Sequence, residues 1–457
     1  SSNYGGLLNT ASGDGVSAVL LSCNDKTNAA SSMAKGLGLT ATAYQEYGMP
    51  GAKAALAIVP SESLLDTIEV VEIEQDLFHP VRDGVWLRRH PGRFASYMMA
   101  FGVTEANVDE VIEFARGGFG CIEISDGWWE STPTYEPNRK LYPDGIESLK
   151  RVCKKIHDAG LQVGLHAMQG MVGWGGRLGM RDPYVSPKAD SRLLQSHKSV
   201  LEQDMAADAV ELVVAGDLSQ WPENGDLNLD GEVVKYSGKD GNRLIGCERG
   251  LYGTLQKAHP KGSAVGVLVN CFPVWGHTKY TPDIESTMFE EIVDNLAYVF
   301  NETGADMAYF DAGEEWSKNP PRWRNVGKFA LAFQRRLKKP VFLGGNNLYT
   351  NLSWHAITRG APNFDPITHG RDEFSLRYKG TNPINRGKDF LVGDTGWFAA
   401  HAHSPSVYAV TPDELMLICL KAVAGNSPFS FHAPYGSYYT NKRKPEMLAI
   451  IKLTDQL

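Results

Sequence analysis

The chain predicts an α/β fold: a (β/α)8 barrel with an inserted β-rich domain after strand three and an N-terminal β-layer. Three observations carry this prediction. From residue 97 to residue 432, short β-rich runs ending in polar residues alternate with amphipathic helical stretches, which is the rhythm of a parallel sheet with crossover helices. Across 171–275 that rhythm is broken once, by sequence rich in Gly, Asn and Asp turns that reads as hairpins. With this insert set aside, eight strand–helix units fill roughly 230 positions, close to the ~250 typical of such barrels. A doubly wound open sheet is the architectural rival, but no strand is followed by the glycine fingerprint that such sheets use to hold dinucleotides.

The elements follow in order. Residues 1–90 form an N-terminal β-rich segment, with strands expected at 17–22, 54–59 and 67–73 and nothing that carries chemistry. Barrel residues are 91–170 and 276–457. Strand one is 97–101, followed by a helix opened by Thr104 that places Val108, Val111, Ile112 and Ala115 on one face. Strand two is 121–125. Its helix starts at a capping box, Asp144 with Glu147, turns Leu149, Val152 and Ile156 inward, and stops at Gly160. Strand three, 161–166, ends in His166. After the insert, a helix through Met288, Ile292, Leu296 and Val299 stops at Gly304, and strand four is 307–311. A helix from Trp323 to Leu337 buries Val326, Phe329, Ala330 and Phe333 and leads to strand five, 341–344. A sixth unit spans 354–377, strand seven is 391–394, a helix with a Thr411/Glu414 capping box follows, and strand eight is 428–432.

Composition excludes several classes of function. With 457 residues, 42% of them hydrophobic, the chain can bury a large core without staples. No run of about 18 apolar residues exists to span a bilayer. The opening Ser1-Ser2-Asn3-Tyr4-Gly5 lacks a basic region and an apolar signal core, so a mature form is expected. Forty-five basic against fifty-three acidic residues give a net charge of −8 with no basic block, which argues against a nucleic-acid partner. The six cysteines form no CxxC pair, and most of them are expected as buried thiols.

In such a barrel the reactive groups sit where strands end. Strand two ends in Glu123, Asp126, Trp128 and Trp129; strand three in His166; strand four in Asp311, Glu314, Glu315 and Trp316; strand five in Asn346 and Asn347. Strand seven ends in Asp394 and Trp397, with His401 and His403 beyond, and strand eight in His432 with Tyr435 nearby. Carboxylates, imidazoles and tryptophans on one rim suit sugar chemistry, where acids attack and protonate while flat rings stack against C–H faces. Asp311, Glu314, Glu315 and Asp394 are the candidate catalytic acids. Glu123, Asp126, Trp128, Trp129, His166, Trp316, Asn346, Trp397, His401 and His432 are the candidate substrate-binding groups. A cap or ion-pair role competes for Asp126, Asp311 and Asp394, rim packing for the Trp128/Trp129 pair, and a surface loop for His401 and His403. No metal site and no cofactor are expected, because the histidines lack a third ligand at suitable spacing. A carbohydrate is the expected partner.

Two motifs fall in the insert. Asp226, Asn228, Asp230 and Gly231 match the first half of a calcium loop, yet the twelfth position is Ser237, so a hairpin turn is the preferred reading. Residues 247–254, with Arg249, Gly253 and Thr254, together with His259 and Gly262, resemble a signature of small β-modules in bacterial and phage proteins that handle surface polysaccharides. That likeness implies a compact β-fold and no activity.

Residues 157–166 (HDAGLQVGLH), 142–147 (YPDGIE) and 309–314 (YFDAGE) resemble glycoside hydrolase barrels, especially the α-L-fucosidase-like family 29 and the clan D α-galactosidase-like groups, and uncharacterised carbohydrate-active proteins of polysaccharide-degrading bacteria. The resemblance implies an exo-acting retaining hydrolase of bacterial or algal polysaccharide or oligosaccharide, secreted or periplasmic. The acid ending strand four is the nucleophile of those enzymes, which falls on Asp311. Clan D places the general acid near strand six, where Asp365 and Asp372 stand; fucosidase-like members vary it, which leaves Glu314, Glu315 and Asp394 open. The insert is foreign to both groups and points to a modified or charged sugar. Two other classes compete: a polysaccharide lyase using Tyr309, His401 or His403 as base on a uronate, and a non-catalytic glycan-binding protein.

Overall fold

Seven parallel strands organise the chain in a computed structural model, which describes residues 15–32, 38–125, 127–173, 182–271, 279–313, 316, 322–345, 350–359, 392, 398–399, 410–424, 428–433 and 442–456. In chain order the first five are Tyr97–Ala100, Cys121–Ile124, Gln162–Met168, Met307–Asp311 and Phe342–Gly345, and the last two are Phe398–Ala399 and Ser430–Ala433. The first five lie side by side in sequence order, Ser430–Ala433 pairs with the first, and Phe398–Ala399 pairs with Ser430–Ala433. Beyond the fifth strand, Thr358 and Arg359 donate their N–H groups to the Leu343 carbonyl, and Arg359 bridges in parallel to Val392. Neighbours in consecutive order, all parallel, are the arrangement of a (β/α)8 barrel.

Strand alternation sorts the side chains into two layers. Met98, Ile122, Leu165, Ala308, Phe310 and Leu343 point outward into the large core shared with the helices. Tyr97, Cys121, Met307, Tyr309 and Phe342 point inward and form a separate cluster. The expected inner faces of Val108–Ala115, Ile146–Asp158, Thr287–Thr303 and Arg322–Arg336 are buried as their spacing requires. Gly304 ends its helix with φ +67°, donating its N–H to the Phe300 carbonyl. Thr411 and Glu414 form the expected reciprocal capping box, at 2.8 and 3.4 Å. The box expected at Asp144 does not form: Gly145 is the N-cap, and the Asp144 carboxylate pairs with Arg151 instead. Among the described residues no helix is long and apolar enough to cross a membrane. All six cysteines are buried thiols outside any disulfide.

The N-terminal segment holds the strands Val16–Ser22 and Ala54–Pro60, paired antiparallel. Residues 67–73, expected as a third strand, belong to the helix Leu64–Glu74. The run of β-branched residues suggested a strand, but Leu64, Ile68 and Glu72 are the residues it buries, and a spacing of four is the helical one. Residues after this helix close the N-terminal mouth of the barrel. Leu87 joins the inner cluster, and the Arg359 guanidinium lies 5.2 Å from the Tyr97 ring centre while donating to the Arg93 and Ala95 carbonyls. Asp306, one residue before the fourth strand, accepts from the Val163 N–H at 2.9 Å and pairs with His157, Lys339 and Arg82.

The chain leaves the barrel after the third strand through a short antiparallel neck, Val172–Gly173 against Lys279–Tyr280. Beyond it stand a four-stranded antiparallel sheet (Gln195–Val200, Ala264–Leu268, Gly225–Leu229, Glu232–Tyr236) and a three-stranded one (Glu211–Val213, Arg243–Ile245, Gly238–Asp240). They share a core of their own that includes Leu212, Leu227, Leu229, Val234, Leu244, Val265 and Val267. The calcium-like sequence is a two-residue hairpin turn in which Asp230 (φ +45°) and Gly231 (φ +91°) both take positive φ, as a type I′ turn requires. Among the described residues no group of three His, Cys, Asp or Glu is placed to hold a metal.

The signature around Arg249 is structural. Glu232, fully buried, accepts from Arg249 Nε at 2.7 Å and Nη2 at 2.8 Å and from the Gly250 N–H at 2.9 Å, and lies 2.8 Å from His259 Nε2. Thr254 Oγ1 accepts the Val233 N–H at 3.0 Å. Glu232→Ala strands a buried guanidinium and is expected to destabilise the insert by about 3–5 kcal/mol. Limited proteolysis should show cleavage within 182–271 at denaturant concentrations that leave the barrel resistant.

Candidate active site

The third and fourth strands bring two expected residues together where they end. Tyr309 stands beside His166 and Asp311 beside Met168 in the register, so His166, Tyr309 and Asp311 all take inward positions. The His166 ring is 3% exposed and sandwiched: Trp129 stacks on it with centroids 6.0 Å apart and planes at 6°, Tyr309 at 5.5 Å and 14°. Two flanking rings leave the imidazole little freedom to turn. Its Nε2 is directed at Asp311, 3.5 Å from Oδ2.

Asp311 is the accessible member, with 23% of its side chain exposed. Its Oδ1 accepts the N–H of Ala312 at 2.7 Å, and its backbone carbonyl accepts the Gln169 N–H at 3.2 Å. Ala312 is buried with φ +62°, a left-handed conformation that costs an L-residue roughly 1 kcal/mol. Strain of this kind collects at functional sites. Here it turns the Ala312 N–H back onto the carboxylate and leaves Oδ2 facing His166.

The tryptophans are placed beneath the rim. Trp128, 1% exposed, donates Nε1–H to the His166 carbonyl at 2.7 Å, and its ring meets Trp129 edge-on at 5.4 Å. Tyr135 donates its hydroxyl to the Met168 carbonyl at 2.6 Å. These contacts give Trp128 and Trp129 the packing role: they hold the end of the third strand and the face of His166. Trp316, also buried, lies against Gly170 (φ +50°), where any Cβ would fall inside the indole. Glu123 is fully buried lower in the barrel, across from Gly164, whose missing side chain leaves room for it; a Cβ there would lie 3.1 Å from the Glu123 chain.

Gly170→Ala combines a positive φ with a collision against Trp316. It is expected to displace that indole, shifting the tryptophan emission and lowering turnover about tenfold or more, since sub-ångström placement matters in such sites.

Asp126, Glu314, Glu315, Asn346, Asp394, Trp397, His401 and His403 lie outside the described residues, as do Asp365, Asp372 and Tyr435. For His432 the backbone alone is described, in the last strand opposite Met99. Sequence reasoning missed Gly164, Gly170, Tyr135 and Ala312. Only Gly164 left a signal, as a glycine inside an apolar strand, which marks close approach of a neighbour.

No family model matches the sequence, and no curated protein does. Among solved structures, the chain is similar to an α-galactosidase from Thermus thermophilus in complex with p-nitrophenyl α-D-galactopyranoside (13% identity, TM-score 0.48, covering 96% of this chain and 74% of that one). It is also similar to an α-galactosidase from Lactobacillus brevis (11%, 0.49, 96% and 51%). A third is Kfla1895, a variant in complex with cyclobis-(1→6)-α-nigerosyl (13%, 0.51, 99% and 57%). The chain spans little more than half the length of the last two. The likeness to the last of these, at 13% identity, is one of fold alone.

Proposed function

We propose that the chain is a glycoside hydrolase acting on an oligosaccharide or polysaccharide, with a closed (β/α)8 barrel whose C-terminal mouth holds the reacting sugar. The observation that carries this reading is the placement of Asp311. It is a part-exposed carboxylate at the end of the fourth strand, fixed by the strained Ala312 N–H and faced by an immobilised imidazole. In the proposed retaining mechanism an Asp311 oxygen attacks the anomeric carbon as the glycosidic C–O bond breaks. The leaving oxygen takes a proton from one of Glu314, Glu315 or Asp394, and water then hydrolyses the glycosyl ester. His166, with Nε2 toward Oδ2, orients the attacking carboxylate and stabilises it again when the ester breaks. Exo-action, a bacterial or algal glycan and a location outside the cytoplasm complete the proposal.

The lyase alternative loses one candidate base, because Tyr309 is 1% exposed beneath the His166 ring and cannot reach a uronate at the mouth. A panel of p-nitrophenyl α-galactoside, α-L-fucoside and β-L-arabinopyranoside tests the proposal. Release of p-nitrophenol from at least one, with the first sugar product keeping its anomeric configuration by NMR, is the expected result. An unsaturated product absorbing in the ultraviolet from polygalacturonate supplied in a parallel assay, or glycan binding with no turnover of any of these glycosides, would replace it with one of the rivals.

A further inference from the structure

The insert carries an open cavity of about 590 Å³, within the range of small-molecule sites (~300–1,000 Å³). Lys188, Ser191, Gln195, Lys198, Asn228 and Asp230 contribute to its wall. Both aspartates that line it are already neutralised: Asp190 by Arg192 at 2.8 Å and Asp230 by Lys257 at 3.1 Å. Among the described residues neither Lys188 nor Lys198 has a carboxylate within ion-pair distance. In a chain of net charge −8 this leaves two lysines lining one cavity outside any direct ion pair, with Lys188 acting on the Asp230 carboxylate only at longer range.

The wall is built by local constraints. Asn228 accepts the Gly231 N–H at 2.8 Å and donates to the Asp190 carbonyl at 3.0 Å, which ties the hairpin turn to the strand of chain that enters the insert. The Lys188 stem lies across Gly231, where a Cβ would come within 2.5 Å of its Cγ, and the Gln195 amide lies over Gly266, where a Cβ would also collide. Two glycines therefore let a lysine and an amide lie along the wall. Gln195 Nε2 and the Ser191 hydroxyl supply neutral hydrogen-bonding groups next to the charges.

We propose that this cavity binds an acidic saccharide, with its carboxylate or sulfate ester between Lys188 and Lys198 and its hydroxyls on Ser191 and Gln195. The anionic part of the assignment rests on the two lysines; the saccharide part rests on the hydrolase reading. The cavity would then hold a stretch of charged glycan away from the barrel mouth, raising the local concentration of chain ends there.

Isothermal titration of the full chain with tetragalacturonate, with a sulfated galactan tetrasaccharide and with neutral galactotetraose tests it. At least one acidic probe is expected to bind, weakening as salt rises, with the neutral probe at least tenfold weaker. The Lys188→Gln/Lys198→Gln double variant should lose at least tenfold in affinity for the acidic probe while its thermal melt and aryl-glycoside turnover stay at wild-type values. The two acidic arms separate carboxylate from sulfate recognition. Equal binding of neutral and acidic probes, no binding of either acidic probe, or unchanged affinity in the double variant overturns the proposal. If no aryl glycoside is turned over but lysine-dependent binding persists, the catalytic reading fails and the cavity assignment stands.

Discussion

Asp311→Asn is expected to remove turnover, by roughly four orders of magnitude or more, without unfolding the chain. The amide keeps the oxygen that accepts the Ala312 N–H, so the local backbone has no reason to move. It lacks the nucleophilic charge and cannot form a glycosyl ester. Because the side chain is part-exposed, the melting temperature should stay within about 2 °C of wild type. Kinetics on the best aryl glycoside, with circular dichroism on the same sample, checks both halves. Near-normal turnover would remove the nucleophile assignment, and loss of the melt would show Asp311 to be structural.

The second large effect belongs to the opposite mouth. Asp306 is buried and holds His157, Lys339, Arg82 and the Val163 N–H at once. Asp306→Ala leaves three cationic or protonatable partners facing an empty site, and urea unfolding should show a loss of about 3–5 kcal/mol. Burial works to raise the pKa of this carboxyl, but His157, Lys339 and the Val163 amide outweigh it and hold it well below the usual 3.8. A depressed folded value means the stabilisation is complete above the unfolded pKa and is lost as pH falls toward the folded one. Wild type should therefore lose stability below about pH 4 more steeply than the variant. A variant whose acid limb parallels wild type would show that the ionised carboxylate is not what holds this mouth.

The helices were legible because their buried faces repeat at three and four residues, as Val326, Phe329, Ala330 and Phe333 do. The place of Asp311 was legible for a different reason: once the strands are counted, the end of the fourth is fixed. What linear sequence could not show is which side of the rim each group falls on. Glu123 and Asp311 both follow β-rich runs, yet one is sealed inside and the other reaches solvent. The difference lies in Gly164, forty-one residues beyond Glu123, in one case and in the left-handed turn at the adjacent Ala312 in the other. Asp306 drew no notice in sequence because its ligands come from residues 82, 157, 163 and 339. Residues 67–73 read as a strand because β-branched residues favour strands locally, and only packing against the strand Ala54–Pro60 and the buried Glu72–Arg88 pair decides otherwise.

The antiparallel neck at Val172 and Tyr280 constrains the order of assembly. The third and fourth strands must register across more than a hundred intervening residues, a separation that slows folding when the intervening chain is a random coil. Self-sufficient packing of the excursion converts that coil into a rigid clasp whose two ends already sit side by side. Early consolidation of the excursion, followed by rapid zipping of the cylinder around it, is the expected kinetic sequence, and hydrogen-exchange pulses during refolding should protect amides near Leu227, in the excursion's own core, before those near Phe310.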